Sequence, residues 1–481
     1  MNYQKIISSL GIMLMIIGVS MVLPLMWSLY YGDSDWLAFL GSSIVTFLAG
    51  FVAHKATKLE GNFHNREAFI VVTFSWLLAS AFGAIPYMLT GTFTSYADAF
   101  FETMSGFTTT GASVLNDIES LPHGVLFWRS LTHWLGGMGI VVLFIAILSS
   151  LGTGGMQMFR AESPGPVAEK IKPRISETAK ILWYTYLLFT VIETLLLWLL
   201  GMPLFDALCH TFGTLATGGF STKNASIGHY ASPLIHWVII VFMFMSGANF
   251  ALYYQALRGR SLWSFWRNPE FKLYLLIVLA SIAFVSLDLF FSGTKGIGNI
   301  LTVSSFQVVS IMTTTGYATA DFDRWPFFAQ AILVALMFVG GCAGSTGGSI
   351  KVGRILVLLK QCLLELQKVV HPRAIMSLKI GGKNVPNDIV INILQFFFIY
   401  MLITVFGTVF MALLGLDLTS AFTAVAATLG NVGPGLAKVG PVQNYSFIPA
   451  TGKYMLSIFM LLGRLELYTV LVLILPSFWK K

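Results

Sequence analysis

Four short runs hold the residue types from which an ion site can be built. They are Thr108 to Ser113 (TTTGAS), Ala216 to Ser221 (ATGGFS), Thr313 to Ala318 (TTTGYA) and Gly430 to Gly435 (GNVGPG). A monovalent cation stripped of its water inside a membrane needs oxygens in place of its hydration shell, and backbone carbonyls supply them without adding formal charge. Glycine admits the left-handed or extended backbone that turns successive carbonyls toward one axis, and threonine sets a hydroxyl acceptor beside them. A short helix ending at each run would direct its partly negative C-terminus at the ion. The candidate filter is therefore Thr109, Thr110 and Gly111, Thr217, Gly218 and Gly219, Thr314, Thr315 and Gly316, and Asn431, Val432 and Gly433. The transported ion in this filter is the only metal expected, and no cofactor or catalytic residue is expected.

The runs recur in register. DAFFETMSGFTTTGAS from Asp98 aligns without gaps on DALCHTFGTLATGGFS from Asp206, and FQVVSIMTTTGYAT from Phe306 repeats the ending. AFTAVAATLGNVGPG from Ala421 brings Gly433 opposite the other glycines in an alignment with one inserted residue. The spacing of roughly a hundred residues is far beyond the period of a solenoid. Threonine and glycine also gather where membrane helices pack closely. Four copies, each ending a segment too short to cross a bilayer between two that are long enough, point instead to re-entrant pore loops. Non-helical backbone at that depth is tolerated only where it lines a wet cavity or is buried in protein.

The elements that must hold these loops are membrane helices. Of 481 residues, 56% are hydrophobic and 10% charged, which is outside the soluble range. A span needs about 20 apolar residues, so Ile6–Tyr30 and Trp36–Ala53 form an N-terminal pair (residues 1–66). The first run is too long for a cleaved leader. Repeat 1 (67–160) has Ala68–Thr90, pore segment Tyr96–Thr108 and Gly124–Leu151. Repeat 2 (161–260) has Ile181–Gly201, Leu204–Ala216 and Leu234–Leu257. Repeat 3 (261–383) has Phe271–Ser292, Ile300–Met312 and a helix starting near Pro326. Repeat 4 (384–481) has Asp388–Leu416, Leu418–Thr428 and Tyr454–Phe478. The fold class is an all-α polytopic membrane protein: four pseudo-repeats of helix, pore loop and helix around one pore, plus two extra N-terminal spans.

Ten spans return the C-terminus to the side of the N-terminus. Most of the 29 Lys and Arg fall in loops on that side, against Lys223, Lys295, Arg324, Lys438 and Lys453 opposite, so both termini are expected in the cytoplasm and the pore loops outside. External acids (Asp33, Asp35, Asp98, Asp117, Glu119, Asp321, Asp323) either concentrate cations at the mouth or are the ordinary content of hydrated loops. The formal charge of +8 follows topology, not a nucleic-acid groove. Cys209, Cys342 and Cys362 have neither zinc nor redox spacing.

Two features are out of place in a spanning helix. Gly340, Gly341, Cys342, Ala343, Gly344, Ser345, Thr346, Gly347, Gly348 and Ser349 cannot sustain a helix, since each glycine costs about 1 kcal/mol against alanine. A loop within the membrane, forming a flexible barrier inside the filter, is expected. The run approximates the GxSxG of a nucleophile elbow, but lacks a strand-to-helix turn and an identifiable triad, so an enzyme is not expected. Arg464 lies within the apolar run Met455–Leu475, where a cation costs about 2.5–3.5 kcal/mol and requires a partner or water. Carbonyls of the glycine-rich loop are candidate partners; the alternatives are a cation facing the pore as a gate and an arginine packed between helices for stability. Glu193, Asp288, His133, His236 and Arg129 are further intramembrane polar groups, open to proton relay or local pairing.

These motifs, with FRAESPGP from Phe159, RISETAK from Arg174, GGFST from Gly218, NPEF from Asn268, GGCAGSTGG from Gly340, NVGPGL from Asn431 and GRLE from Gly463, give a sequence that resembles the membrane subunits of bacterial Trk potassium uptake systems, in the Trk/Ktr/HKT superfamily. The resemblance covers nearly the whole chain. It implies multi-pass placement in a bacterial inner membrane, a homodimer with a pore in each subunit, and a cytoplasmic ring of a nucleotide-binding (NAD/ATP-type) regulatory subunit. It implies a filter that favours potassium, with rubidium as substitute, at Gly111, Gly219, Gly316 and Gly433; members with serine at the first position tend to admit sodium. It also implies a gate made of Gly340, Gly341, Gly344, Ser345, Thr346, Gly347, Gly348 and Arg464. Gated potassium uptake driven by membrane potential is the expected function, with proton- or sodium-coupled symport as the alternative.

Overall fold

The computed structural model describes residues 1–57, 64–137, 139, 175–259, 261, 263–294, 296–374 and 376–480. The predicted span Gly124–Leu151 past residue 139 and the FRAESPGP segment lie outside them. Helix dominates because a backbone in lipid must satisfy its own polar groups. Six helices are long and apolar enough to span: Tyr3–Tyr31, Trp36–Lys55, Arg66–Leu89, Ile181–Leu199, Pro269–Phe291 and Asn387–Leu413. Two bent pairs bring the number to eight. Among the described residues the helices are joined by one short strand pair, Lys379–Ile380 with Lys383–Asn384. Its two-residue turn has Gly381 and Gly382 at φ +56° and +80°, the conformation that suits a tight hairpin.

The N-terminal pair crosses closely. A Cβ on Gly11 would lie 2.6 Å from the Gly50 carbonyl oxygen, and one on Gly50 2.5 Å from that of Gly11, so the two backbones touch as small-residue crossings allow. Lys5 pairs with Glu67 at 3.6 Å and joins this unit to the first repeat. The Asn2 amide donates to Glu67 and the Arg66 guanidinium to the Lys480 carbonyl. Both termini therefore lie at one end of the molecule.

Four short helices stand at the centre: Tyr96–Phe107, Leu204–Leu215, Ile297–Met312 and Leu418–Leu429. Three have twelve residues and rise about 18 Å, the other has sixteen and rises about 24 Å, against about 30 Å of hydrocarbon, so each is too short to cross it. Each packs on the first and second long helices of its own repeat. Each also packs on the second long helix of a neighbour: Tyr96–Phe107 on Ala450–Arg464, Leu204–Leu215 on His123–Gly137, Ile297–Met312 on Pro233–Ser246, and Leu418–Leu429 on Phe327–Met337. The order of neighbours closes on itself.

Two spans expected to run unbroken do not. Leu234–Leu257 is Pro233–Ser246 followed, after a 96° bend, by Phe250–Ala256, and Tyr454–Phe478 bends by 114° between Arg464 and Tyr468. Hydropathy does not register either break, because the residues on both sides are apolar. The partners that compensate the broken backbone are distant in sequence: Cys342 donates its amide to the Gly247 carbonyl at 2.8 Å and Phe250 to that of Gly344 at 3.0 Å. At the other bend Glu466 and Leu467 take φ of +54° and +26°. The third repeat is interrupted within Gly340–Ser349, between Phe327–Met337 and Val352–Val370.

Candidate functional site

The four central helices end in one motif. Past each C-terminus stands a left-handed residue, Thr109, Thr217, Thr314 or Asn431, at φ +55°, +53°, +60° and +53°. The next residue returns its amide to the carbonyl five positions back: Thr110 to Ser105, Gly218 to Gly213, Thr315 to Ser310, Val432 to Ala427, at 2.7–2.9 Å. Together with the shorter bonds from Thr109 to Gly106 and its counterparts, this is the Schellman closure, which consumes helix-end carbonyls and sends the chain off in a new direction. The left-handed residue is usually glycine there; a β-branched threonine is strained in that region. Asn431, Val432 and Gly433 follow their helix at the same spacing as Thr109, Thr110 and Gly111. The inserted residue of the sequence alignment is thus unnecessary.

The glycine expected in each filter segment abuts the next loop. A Cβ on Gly111 would fall 2.1 Å from the Gly218 carbonyl oxygen, on Gly219 2.1 Å from that of Thr315, on Gly316 2.1 Å from that of Val432, and on Gly433 2.6 Å from that of Thr110. All four take positive φ, +80°, +82°, +80° and +97°. Glycine is required twice over at each place, by backbone angle and by space. The contacts run from loop 1 to 2 to 3 to 4 and back to 1. The same four glycines border a cavity of about 210 Å³.

The ring is tied on its outer side in the same order. Ile118 donates to Asn224 at 2.7 Å, Gly228 to the Ala318 carbonyl at 3.1 Å, Ala437 to Asp323 at 2.9 Å, and Tyr445 to the Ser113 carbonyl at 2.8 Å. The Asn224 amide, with the Ser120 hydroxyl, holds the Asp117 carboxyl below its ordinary range. Several other external acids are occupied: Asp33 by His123, Asp98 by Lys453 and Asp321 by Arg324. None of the seven acids borders the 210 Å³ cavity.

Behind loops 1 and 2 Arg129 finds a partner, Glu102, that no sequence motif marks. Arg129 Nε donates to Glu102 Oε1 at 2.9 Å with both side chains buried. Glu102 also accepts from the Ser113 hydroxyl and the Val114 amide, while Arg129 reaches the Ser221 carbonyl at 3.1 Å. The signal was present: two opposite charges in apolar segments need each other. His133 contacts the Gly106 carbonyl at 2.7 Å and accepts from the Phe220 amide at 3.1 Å. The Tyr317 hydroxyl donates to the His210 carbonyl at 2.9 Å, and that of Tyr445 to the Gly433 carbonyl at 2.7 Å. Of the other groups open to proton relay, His236 contacts the Tyr230 carbonyl and Asp288 accepts from Ala329. Glu193 is buried with neither oxygen bonded among the described residues.

The glycine-rich loop lies against the inner side of these helix ends. Gly348 donates its amide to the Thr314 hydroxyl at 2.7 Å, and Thr346 donates its own to the Ser246 carbonyl at 3.3 Å. The Gly340 amide meets the Ile350 carbonyl and the Val352 amide the Gly341 carbonyl, closing the loop at its base. The Ser345 hydroxyl is buried without a bond among the described residues. Lys351 donates its ammonium to the Gly347 carbonyl.

Arg464 joins three elements. Nη1 donates to the Thr109 hydroxyl at 3.1 Å and the Thr346 carbonyl at 2.8 Å; Nη2 donates to the carbonyls of Gly136 at 2.5 Å and Gly137 at 2.9 Å. Glu466 turns away from it and pairs with Arg354. Threonine hydroxyls expected beside the ion, those of Thr109 and Thr314, are instead engaged by Arg464 and the loop. Asn431 donates to the Thr110 hydroxyl at 2.9 Å and the Met460 carbonyl at 2.9 Å.

Residues 37–481 match the family model TrkH, described as cation transport protein. The chain is 42% identical over 485 residues to the Trk system potassium uptake protein TrkH of Salmonella typhimurium, covering all of both chains. It is 35% identical over 473 residues to TrkG of Escherichia coli, covering 98% of this chain and 97% of the relative. A crystal structure of the potassium transporter TrkH from Vibrio parahaemolyticus superposes with a TM-score of 0.90 at 37% identity, covering all of both chains.

Proposed function

The chain belongs to the TrkH family of cation transport proteins, and from that premise we propose that it takes up potassium through a gated pore whose filter is the ring of four loops. The contacts of each filter glycine on the next loop's carbonyl carry this reading. They bring main-chain oxygens from four parts of one chain together at the ends of four inward-pointing helices, where helix dipoles favour a cation and carbonyls substitute for water. Potassium and rubidium are the ions of choice. Thr109, Thr110, Gly111, Thr217, Gly218, Gly219, Thr314, Thr315, Gly316, Asn431, Val432 and Gly433 form the filter.

The loop of Gly340, Gly341, Gly344, Ser345, Thr346, Gly347 and Gly348, with Arg464, is the gate. An arginine bonded to the filter, the loop and a neighbouring helix end holds a fixed positive charge at the pathway's inner side. The protein works as a homodimer in a bacterial inner membrane, with both termini cytoplasmic, under a nucleotide-binding regulatory ring.

Reconstitution into liposomes tests the filter. Potassium and rubidium flux should exceed sodium flux, and Gly111→Ser should reduce that discrimination by roughly tenfold, the effect of about 1.4 kcal/mol. Unaltered discrimination in Gly111→Ser would remove these loops as the filter.

A further inference from the structure

Glu270 stands in the first turn of Pro269–Phe291, whose N-terminus is capped by the Asn268 side chain. Its Oε1 accepts from two amides of another part of the chain: Ala343, within the intramembrane loop, at 2.7 Å, and Gly353, in the first turn of Val352–Val370, at 2.8 Å. The second is one of the amides a helix start leaves without an intrahelical partner, and a carboxylate there is favoured by the helix dipole. A single oxygen thus fixes the segment at both ends, while its middle reaches Arg464 through Thr346 and the filter through Gly348. The approach is close: a Cβ on Gly353 would lie 2.9 Å from Oε1 and 3.2 Å from Cδ of Glu270. Glu270, Ala343 and Gly353 all border one cavity of about 750 Å³, together with Arg267 and Lys383.

We infer that Glu270 is a positioning residue for transport, a latch whose carboxylate holds the intramembrane loop in the closed position. This rests on the reading of that loop as the gate. Opening must draw Ala343 away from Glu270, or move the N-terminus of Pro269–Phe291 with it. Glu270 is remote from the ion itself, so it sets how often the pathway opens and not which ion passes.

The test is potassium and sodium flux into liposomes holding the full-length protein alone. Charge-assisted bonds are the strong ones, so losing both in Glu270→Ala should raise unstimulated potassium flux by roughly tenfold. Gly353→Ala, which keeps Glu270 but crowds its carboxylate off the two amides, should do the same. Glu270→Gln, which keeps an accepting oxygen but loses its charge, should leak less than Glu270→Ala and more than the parent, and potassium over sodium discrimination should hold in all three. If Glu270→Ala does not fold, Gly353→Ala gives the answer alone.

Parent-like flux in the alanine variants while Arg464→Ala leaks would overturn the latch and leave the gate standing. If none of them leaks, latch and gate fall together. A glutamine variant as leaky as alanine, or a loss of discrimination in any of the three, also overturns the proposal.

Discussion

Thr109, Thr217 and Thr314 hold left-handed backbone that glycine would adopt without strain, and such residues cost about 1–3 kcal/mol each. At two of them the hydroxyl explains the choice: Thr109 accepts from Arg464 and Thr314 from Gly348, so the ends of two central helices are tied to their neighbours through the strained residues. With Arg464→Ala the Thr346 carbonyl and the Thr109 hydroxyl lose a shared donor and the pathway loses a cation. Potassium flux without a regulator is expected to rise, by roughly tenfold for about 1.4 kcal/mol of lost closure, in a tracer-uptake assay. Glu102 and Arg129 set a different problem. Removing one member of a buried pair leaves an uncompensated charge and costs about 3–5 kcal/mol, so Glu102→Ala should lower the melting temperature of the detergent-solubilised protein markedly.

The short helices work by stopping early. Their termini fall in mid-membrane, and the Schellman closure lets a buried helix end there without orphaned carbonyls. The second and fourth repeats break their second long helix near this depth, and the third is interrupted by the glycine-rich loop. Two of these breaks compensate each other, since Gly247 and Phe250 bond to Cys342 and Gly344. The N-terminal pair lies outside the ring and joins the first repeat by packing and through Lys5 and Asn2 on Glu67. Gly50→Leu forces a side chain into backbone contact with Gly11, an overpacking that should cost about 1–3 kcal/mol. A thermal melt checks that cost, and the ratio of potassium to sodium flux should not change.

The four loops close a ring only because the fourth repeat returns to the first, through Gly433 on Thr110 and Tyr445 on Ser113. These contacts join the fourth repeat to the first, so no single repeat contains the ring of loops. The proposed pore bears on the mode of transport: in such a pore an ion would need no second ion to turn a site from one side to the other. With the potential clamped and no proton or sodium gradient, current through the reconstituted protein should reverse at the potassium equilibrium potential. A reversal displaced by an imposed proton or sodium gradient would point to coupled symport.

Much of this protein can be read from local pattern. The apolar runs, the short segments between them and the repeated Thr-Gly endings are set by bilayer thickness and by the backbone freedom of glycine, and both act on neighbouring residues. The interruption at Gly340–Ser349 was legible for the same reason, because five glycines defeat a helix wherever they stand. Long-range partnership decided the rest. Hydropathy near Ser246 does not announce the 96° bend, since the groups that bond Gly247 and Phe250 come from the third repeat; the 114° bend closes locally, with Leu467 donating to the Leu462 carbonyl at 3.0 Å. Glu102 needed Arg129, Glu270 needed Ala343 and Gly353, and the register of Asn431, Val432 and Gly433 needed the helix end before them. Sequence by itself determined which segments enter the membrane and where the chain must turn; tertiary structure decided what each turn meets, because hydrogen bonds that satisfy broken helices in lipid are made across repeats.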